Sequence, residues 1–202
     1  MTSDLRFRLD RALAMHGRPS SDFDLNKGVV LPEGRPLRAA GVLVPVIDRG
    51  RDAHVLLTKR SSALKHHPGQ IAFPGGKVDP DDRDVVATAL REAREEIGLI
   101  EGQAEVLGAL PSHETVTGFT VTPVLALIDP GFRAMPEAGE VEEVFEVPLD
   151  HVMDIAQYRI QSRRWRGQVR SYFAVPWGPY YIWGATARML RALADRMADD
   201  AD

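Results

Sequence analysis

Gly75-Gly76-Lys77-Val78-Asp79-Pro80-Asp81-Asp82, followed a few residues on by Ala89-Leu90-Arg91-Glu92-Ala93-Arg94-Glu95-Glu96-Ile97-Gly98-Leu99, holds a glycine turn and then a helix whose charged and apolar residues fail to separate. The spacing predicts a helix over roughly 82–97, with Asp81 or Asp82 as the cap at its start and Gly98 as its stop. At about 100° per residue, Val85, Val86, Ala89, Leu90, Ala93 and Ile97 fall on one arc that must face a core. Glu92 and Glu96, one turn apart, project at the edge of that same arc, and Glu95 lies on its flank.

Such a helix is awkward on physical grounds. Like charges one turn apart destabilise a helix by about 0.2–0.5 kcal/mol per pair. Two of these acids also border the buried stripe, where an unpaired charge is costly. A hard divalent cation resolves both problems, since carboxylate oxygens suit magnesium and leave coordination sites for water and phosphate. The bland alternative is a solvated face on which Arg91 and Arg94 pair with Glu95 and its neighbours. The double glycine and the position of the acids at the apolar border bring the metal reading level with that alternative.

Outward from the helix, strand-like runs lie at 40–47, 54–58, 71–73, 104–110, 119–128, 141–147 and 168–175. An amphipathic helix is expected over about 4–15 and a second over about 181–197, with Ile182, Ala185, Met189, Leu190, Leu193 and Met197 near one face. The stretch 18–36 reads as a long connection. Strands before and after one central helix predict a mixed α/β sandwich, not a regular βαβ array. The chain divides into an N-terminal helix and connecting segment, 1–36, and a main domain, 37–202, that includes the C-terminal helix.

With 202 residues, 44% apolar and 27% charged, the composition is that of an ordinary globular protein. The net charge of −4 argues against a nucleic-acid partner. The absence of cysteine removes disulfides, thiolate zinc and a cysteine nucleophile. The charged N-terminus does not resemble a signal peptide, no run is long enough to span a membrane, and the acidic end 198–202 carries no recognisable address. A cytoplasmic enzyme is expected, with no membrane partner, and the spare helices suit a homodimer.

The run Arg91-Glu92-Ala93-Arg94-Glu95-Glu96-Ile97-Gly98-Leu99 resembles the second half of the Nudix signature, Arg-Glu-apolar-x-Glu-Glu-x-Gly-apolar. The first half departs from it: one extra residue separates Gly76 from Arg91, and Asp82 stands about where the first Glu belongs. The coenzyme A branch of the family has this longer, Asp-containing form. The resemblance implies a Nudix-type α/β/α sandwich with a mixed sheet, and Mg2+ or Mn2+ as cofactor. Glu92 and Glu96 are the first candidates for metal ligands, and Glu95 is a further ligand or a base orienting water. Arg91 is expected to orient these groups through a carboxylate of the same helix.

Upstream, Leu56-Leu57-Thr58-Lys59-Arg60-Ser61-Ser62-Ala63-Leu64-Lys65-His66-His67-Pro68-Gly69-Gln70-Ile71-Ala72-Phe73-Pro74-Gly75-Gly76 is similar at every spacing to the motif of Nudix coenzyme A diphosphatases. Lys65 replaces an Arg of that motif, keeping the charge and losing the bidentate fork. No acid occurs from Lys59 through Lys77, so a basic loop adjoins the acidic helix. Arg60, Lys65, Lys59 and Gly69 are candidate substrate contacts, and Gly75 and Gly76 shape the turn. His66 and His67 are left off the site.

A further Glu is sought in Gly139-Glu140-Val141-Glu142-Glu143, with Glu140 at the offset of the family's extra catalytic acid and Glu142 or Glu143 as substitutes. The implied reaction splits the diphosphate bridge of coenzyme A, giving 3′,5′-ADP and 4′-phosphopantetheine. Gly118-Phe119 and the segment 179–184 offer aromatic surface for the substrate, although packing in the core is the more ordinary role for them. The rivals are hydrolysis of another nucleoside diphosphate derivative such as ADP-ribose, and a non-catalytic nucleotide sensor.

Overall fold

Strands β2 (Arg38–Asp48) and β8 (Phe119–Ile128) run side by side in parallel, from Arg38 opposite Phe119 to Ile47 opposite Ile128. The computed structural model describes residues 2–29, 34–165 and 167–198. Part of the expected connection (30–33) and the acidic end (199–202) lie outside the described residues.

Around this pair, in chain order, stand α1 (Thr2–Ala14), β1 (Ser20–Ser21), β3 (Ala53–Arg60), β4 (Ile71–Ala72), β5 (Gly75–Lys77), α2 (Val85–Ile97), β6 (Ala104–Ala109) and β7 (His113–Glu114). After β8 come β9 (Val141–Pro148), α3 (Leu149–Met153), β10 (Arg159–Trp165), β11 (Gln168–Ala174) and α4 (Ala185–Ala198). β3 and β5 pair antiparallel to β2, β6 and β7 antiparallel to β8, and β4 and β9 antiparallel to β3. The short β1 runs parallel to β7, so the sheet is mixed.

Both faces of the central strands are covered, which is why they read as nearly unbroken apolar runs. On one face Leu43, Ile47, Val124, Ala126 and Ile128 pack with Ala89, Ala93 and Ile97 of α2. On the other, Val44, Val46, Val121 and Leu125 pack with Leu5 and Leu9 of α1 and Leu190 and Leu193 of α4. The expected α/β/α sandwich is therefore present. No described helix is long and apolar enough to cross a membrane.

Three local expectations need correction. Helix α2 begins at Val85, not near 82, and its cap is Asp84, whose carboxylate accepts the Ala87 N–H at 2.8 Å. Asp81 and Asp82 precede it. Asp82 cannot cap because its oxygens already accept from the Asp79 N–H, the Thr88 hydroxyl and Arg91. The C-terminal stop holds: Gly98, at φ 73°, donates to Arg94 O and Leu99 donates to Ala93 O.

The last helix starts at Ala185, four residues later than its apolar pattern suggests. The preceding backbone is used elsewhere, since Val175 N–H donates to Ile182 O and Trp183 bridges Ala174. Ile182 is still fully buried, from an extended segment. Strand β10 had no expected counterpart. It forms a two-stranded ribbon with β11, apart from the main sheet.

Candidate active site

Helix α2 sets its three glutamates at three depths. Ala89, Ala93 and Ile97 are fully buried against the sheet. Beside them the Glu96 side chain is 4% exposed, Glu92 16% and Glu95 54%. The helix is amphipathic, but its boundary runs through the acids. This is the frustrated arrangement that the periodicity implied.

Glu96 is the most constrained. One carboxylate oxygen accepts the Gly75 N–H at 3.1 Å, and the other lies 3.8 Å from the Arg60 guanidinium. Burial outweighs both and, with repulsion from Glu92 and Glu140, pushes its carboxyl up to about 7. Burial also raises Glu92, opposed by Arg91 and reinforced by Glu95 and Glu140. The double glycine, expected to form a turn, instead opens strand β5 and pairs with Gly41 and Val42 of β2, and its lack of side chains permits this closeness. A Cβ on Gly76 would fall 2.4 Å from the Glu92 carboxyl carbon, and one on Gly75 would fall 2.5 Å from Gly41 O.

Arg91 organises the exposed side. Its Nε and Nη2 donate to the two oxygens of Asp82 at 3.0 and 2.9 Å, its Nη1 to Glu92 at 2.9 Å and Glu95 at 3.1 Å, and its Nη2 to Lys77 O at 3.2 Å. The Arg91 hydrogen bonds, helped by the Asp79 N–H and the Thr88 hydroxyl, hold Asp82 well below the usual carboxylate range. Arg91 thus meets two carboxylates of its own helix and two that precede it, Asp82 by hydrogen bond and Asp79 at 3.7 Å. Asp82 was the residue missing from the expected site. Its signal was its place at the signature's first acid.

Among the described residues no three acids or histidines converge on one point as a ready-made cage. Glu92 and Glu95 turn toward Arg91, and Glu96 toward Gly75. The donor set nonetheless fits a hard divalent cation. It offers carboxylate oxygens only, and two of the acids are held where ionisation is penalised, so a cation can take the place of a proton. If Glu92 turns to a cation, Arg91 keeps its two bonds to Asp82.

Of the three acids considered at the start of β9, geometry separates one, Glu140, which just precedes the strand. Glu142 pairs with Lys59 at 2.6 Å and accepts the Ser62 N–H, while Glu143 accepts the Tyr180 hydroxyl. Glu140 is exposed, near enough to raise both Glu92 and Glu96, and its carbonyl accepts the Ser61 N–H at 2.8 Å.

The basic loop is only partly aimed at the acids. Arg60 faces Glu96, whereas Lys59 is directed to Glu142 and so is neutralised away from them. Lys65, His66, His67 and Gly69 are exposed. Gly69, at φ 69°, donates to Arg60 O at 3.1 Å, and Arg60 N–H donates to Gln70 O at 2.9 Å, which closes the loop on itself. Tyr180 stacks on Phe145 with ring centres 3.6 Å apart and serves packing. Phe119 lies under the Arg38 guanidinium.

The family model for the NUDIX domain matches residues 37–166. An uncharacterized Nudix hydrolase, NudL, of Citrobacter koseri is 41% identical over 174 residues, covering 86% of this chain and 90% of the relative. NudL of an Enterobacter species is 41% identical over 157 residues, covering 78% and 81%. Among solved structures, a MutT/nudix family protein from Enterococcus faecalis superposes with TM-score 0.55 at 17% identity, covering 98% of this chain and 75% of the other. A C. elegans Ap4A hydrolase in a binary complex superposes with TM-score 0.54 at 19% identity, covering 80% and 98%. At these identities the superpositions speak for the fold.

Proposed function

Because the chain belongs to the Nudix family, enzymes that act on phosphoric anhydrides of small nucleotide derivatives and generally use Mg2+ or Mn2+, we propose that it hydrolyses the diphosphate bridge of coenzyme A or its acyl derivatives. The products are then 3′,5′-ADP and 4′-phosphopantetheine, or its acyl form. The observation that carries this reading is the contact between the two motifs. Arg60, from the loop resembling the coenzyme A diphosphatases, sits 3.8 Å from Glu96, the most buried acid of the Nudix helix.

Glu92, Glu96 and Glu95 would hold the metal, which supplies charge neutralisation on the diphosphate and lowers the pKa of water. Arg91, anchored by Asp82, holds Glu92 and Glu95 from outside. Glu140, exposed on a loop within electrostatic reach of Glu92 and Glu96, is suited to accept a proton from the attacking water. Arg60 and Lys65 bring positive charge to the phosphates, and the Gly69 turn shapes the loop between them.

The test is turnover of coenzyme A, acetyl-coenzyme A, ADP-ribose and nucleoside triphosphates by purified protein with Mg2+ or Mn2+, resolved by chromatography. Coenzyme A compounds are expected to give the highest kcat/KM. A clear preference for ADP-ribose or a triphosphate overturns the substrate assignment. Binding of a nucleotide without any turnover makes the protein a sensor.

A further inference from the structure

The β10–β11 ribbon has a charge pattern that the net-negative chain does not share. Residues 159–174 include Arg159, Arg163, Arg164 and Arg170 and no acid. Within the ribbon Arg163 lies directly opposite Arg170. Arg170 also lies over the Phe23 ring, 5.8 Å from its centre. Cross-strand partners share a face, and Tyr172, two residues along, shares it too.

That face forms one wall of a cleft of about 270 Å³. Trp183 closes another side, with the Arg163 guanidinium laid 4.5 Å over its ring and Tyr172 meeting it edge-on at 5.1 Å. The ribbon is firmly placed, because the Asn26 side-chain amide donates to Ser171 O at 2.9 Å and accepts the Ser171 N–H at 2.8 Å. The remaining wall includes Gln70 and the Asp22 carboxylate, which is taken up by the His113 ring and the Val116 N–H. Gln70 O accepts the Arg60 N–H at 2.9 Å, and Arg60 faces Glu96. One loop therefore borders both the cleft and the acidic site.

We infer that this cleft receives the phosphorylated-nucleoside end of the substrate, with Arg163 and Arg170 binding a phosphate on the ribose and the Arg163–Trp183 pair offering a flat cationic surface to the base. This deepens the reading of the protein as a coenzyme A diphosphatase and rests on it. Arginine guanidinium planes stack on bases, and their N–H edges match phosphate oxygens in pairs. Lys59 is directed to Glu142, and on the far side of the same loop the ribbon places Arg163 and Arg170 in the lining of the cleft.

The experiment is calorimetric titration of metal-free protein with 3′,5′-ADP and with 5′-AMP, which lacks the second phosphate. The wild type is expected to bind 3′,5′-ADP at least about tenfold tighter, the scale of one charge-assisted contact. Arg163→Gln removes that preference and raises KM for coenzyme A about tenfold, with the loss falling on KM and not on kcat. Arg163→Lys, which keeps charge without the fork, falls between. Trp183→Leu weakens both nucleotides. Equal binding of the two nucleotides to the wild type, or full preference in a folded Arg163→Gln variant, overturns the inference even if coenzyme A is turned over. Failure of coenzyme A turnover alongside an intact 3′-phosphate preference sinks the substrate assignment alone.

Discussion

Arg91 grips Asp82 through a two-bond fork, Nε to Oδ1 at 3.0 Å and Nη2 to Oδ2 at 2.9 Å, while its remaining nitrogen holds Glu92 and Glu95. The helix of acids is thereby locked to the turn that precedes it. Arg91 orders the carboxylates without being a metal ligand, and its value lies in geometry more than in charge.

Arg91→Lys tests this directly. The lysine keeps the charge but cannot reach Asp82, Glu92 and Glu95 at once. We expect kcat to fall about 10²-fold, the typical cost of misplaced catalytic groups, with a smaller change in KM. Asp82→Asn should give a similar loss and a lower Tm. Steady-state kinetics of both variants check this, and a kcat within about twofold of wild type in either rejects the role.

Glu96 makes a prediction about pH. Its carboxyl titrates near 7 in the folded protein, raised by burial from an ordinary value of 4.5. Between those values the folded state holds a proton that the unfolded state has lost, so this group's stabilisation is complete below about pH 4.5 and is lost as pH rises through 7. The full swing is on the order of 3 kcal/mol. Denaturant unfolding of metal-free protein at pH 5 and pH 8 should show this loss, and Glu96→Gln should flatten it while abolishing turnover. Mg2+ or Mn2+ should restore stability to the wild type at pH 8 and much less to the variant. An unchanged pH profile in the variant excludes Glu96 as the source.

Gly76 adjoins Glu92 so closely that any side chain there displaces the carboxylate, since a Cβ lies 2.4 Å from it. Gly76→Ala should weaken Mn2+ binding about tenfold or more, the range seen when groups supporting a metal ligand are altered. The sheet should survive, because the obstructing atoms end a flexible side chain and are not backbone. Titration of Mn2+ by electron paramagnetic resonance, with circular dichroism as the fold control, measures both. Unaltered affinity removes Glu92 from the ligand set.

The helix and its acids were legible because their cause is local: a 3.6-residue period, a glycine stop and an i, i+4 pair of glutamates. The central strands were legible for the same reason, since Leu43 and Val44 face opposite covered sides and both must be apolar. What escaped depended on partners far along the chain. Lys59 reads as one more loop cation until β9 brings Glu142 to it. Strand β10 is rich in arginine and lacks an apolar alternation, because its ribbon lies apart from the main sheet. Asp81, Asp82 and Asp84 are equivalent as caps by residue type. The reach of Arg91 decides among them by engaging Asp82.

That choice of cap gives a control separating stability from chemistry. Asp84 accepts the Ala87 N–H at 2.8 Å and touches none of the glutamates by hydrogen bond. Replacing such a cap by alanine typically costs about 1 kcal/mol. Asp84→Ala should therefore lower unfolding free energy by about that amount, and kcat measured well below its Tm should stay near wild type. Asp82→Asn, only two residues away, should show the opposite balance, with the larger loss in kcat. If Asp84→Ala instead lost activity as Asp82→Asn does, the start of the helix would be positioning the acids through its cap, and the Arg91 fork would not be the part that sets the site.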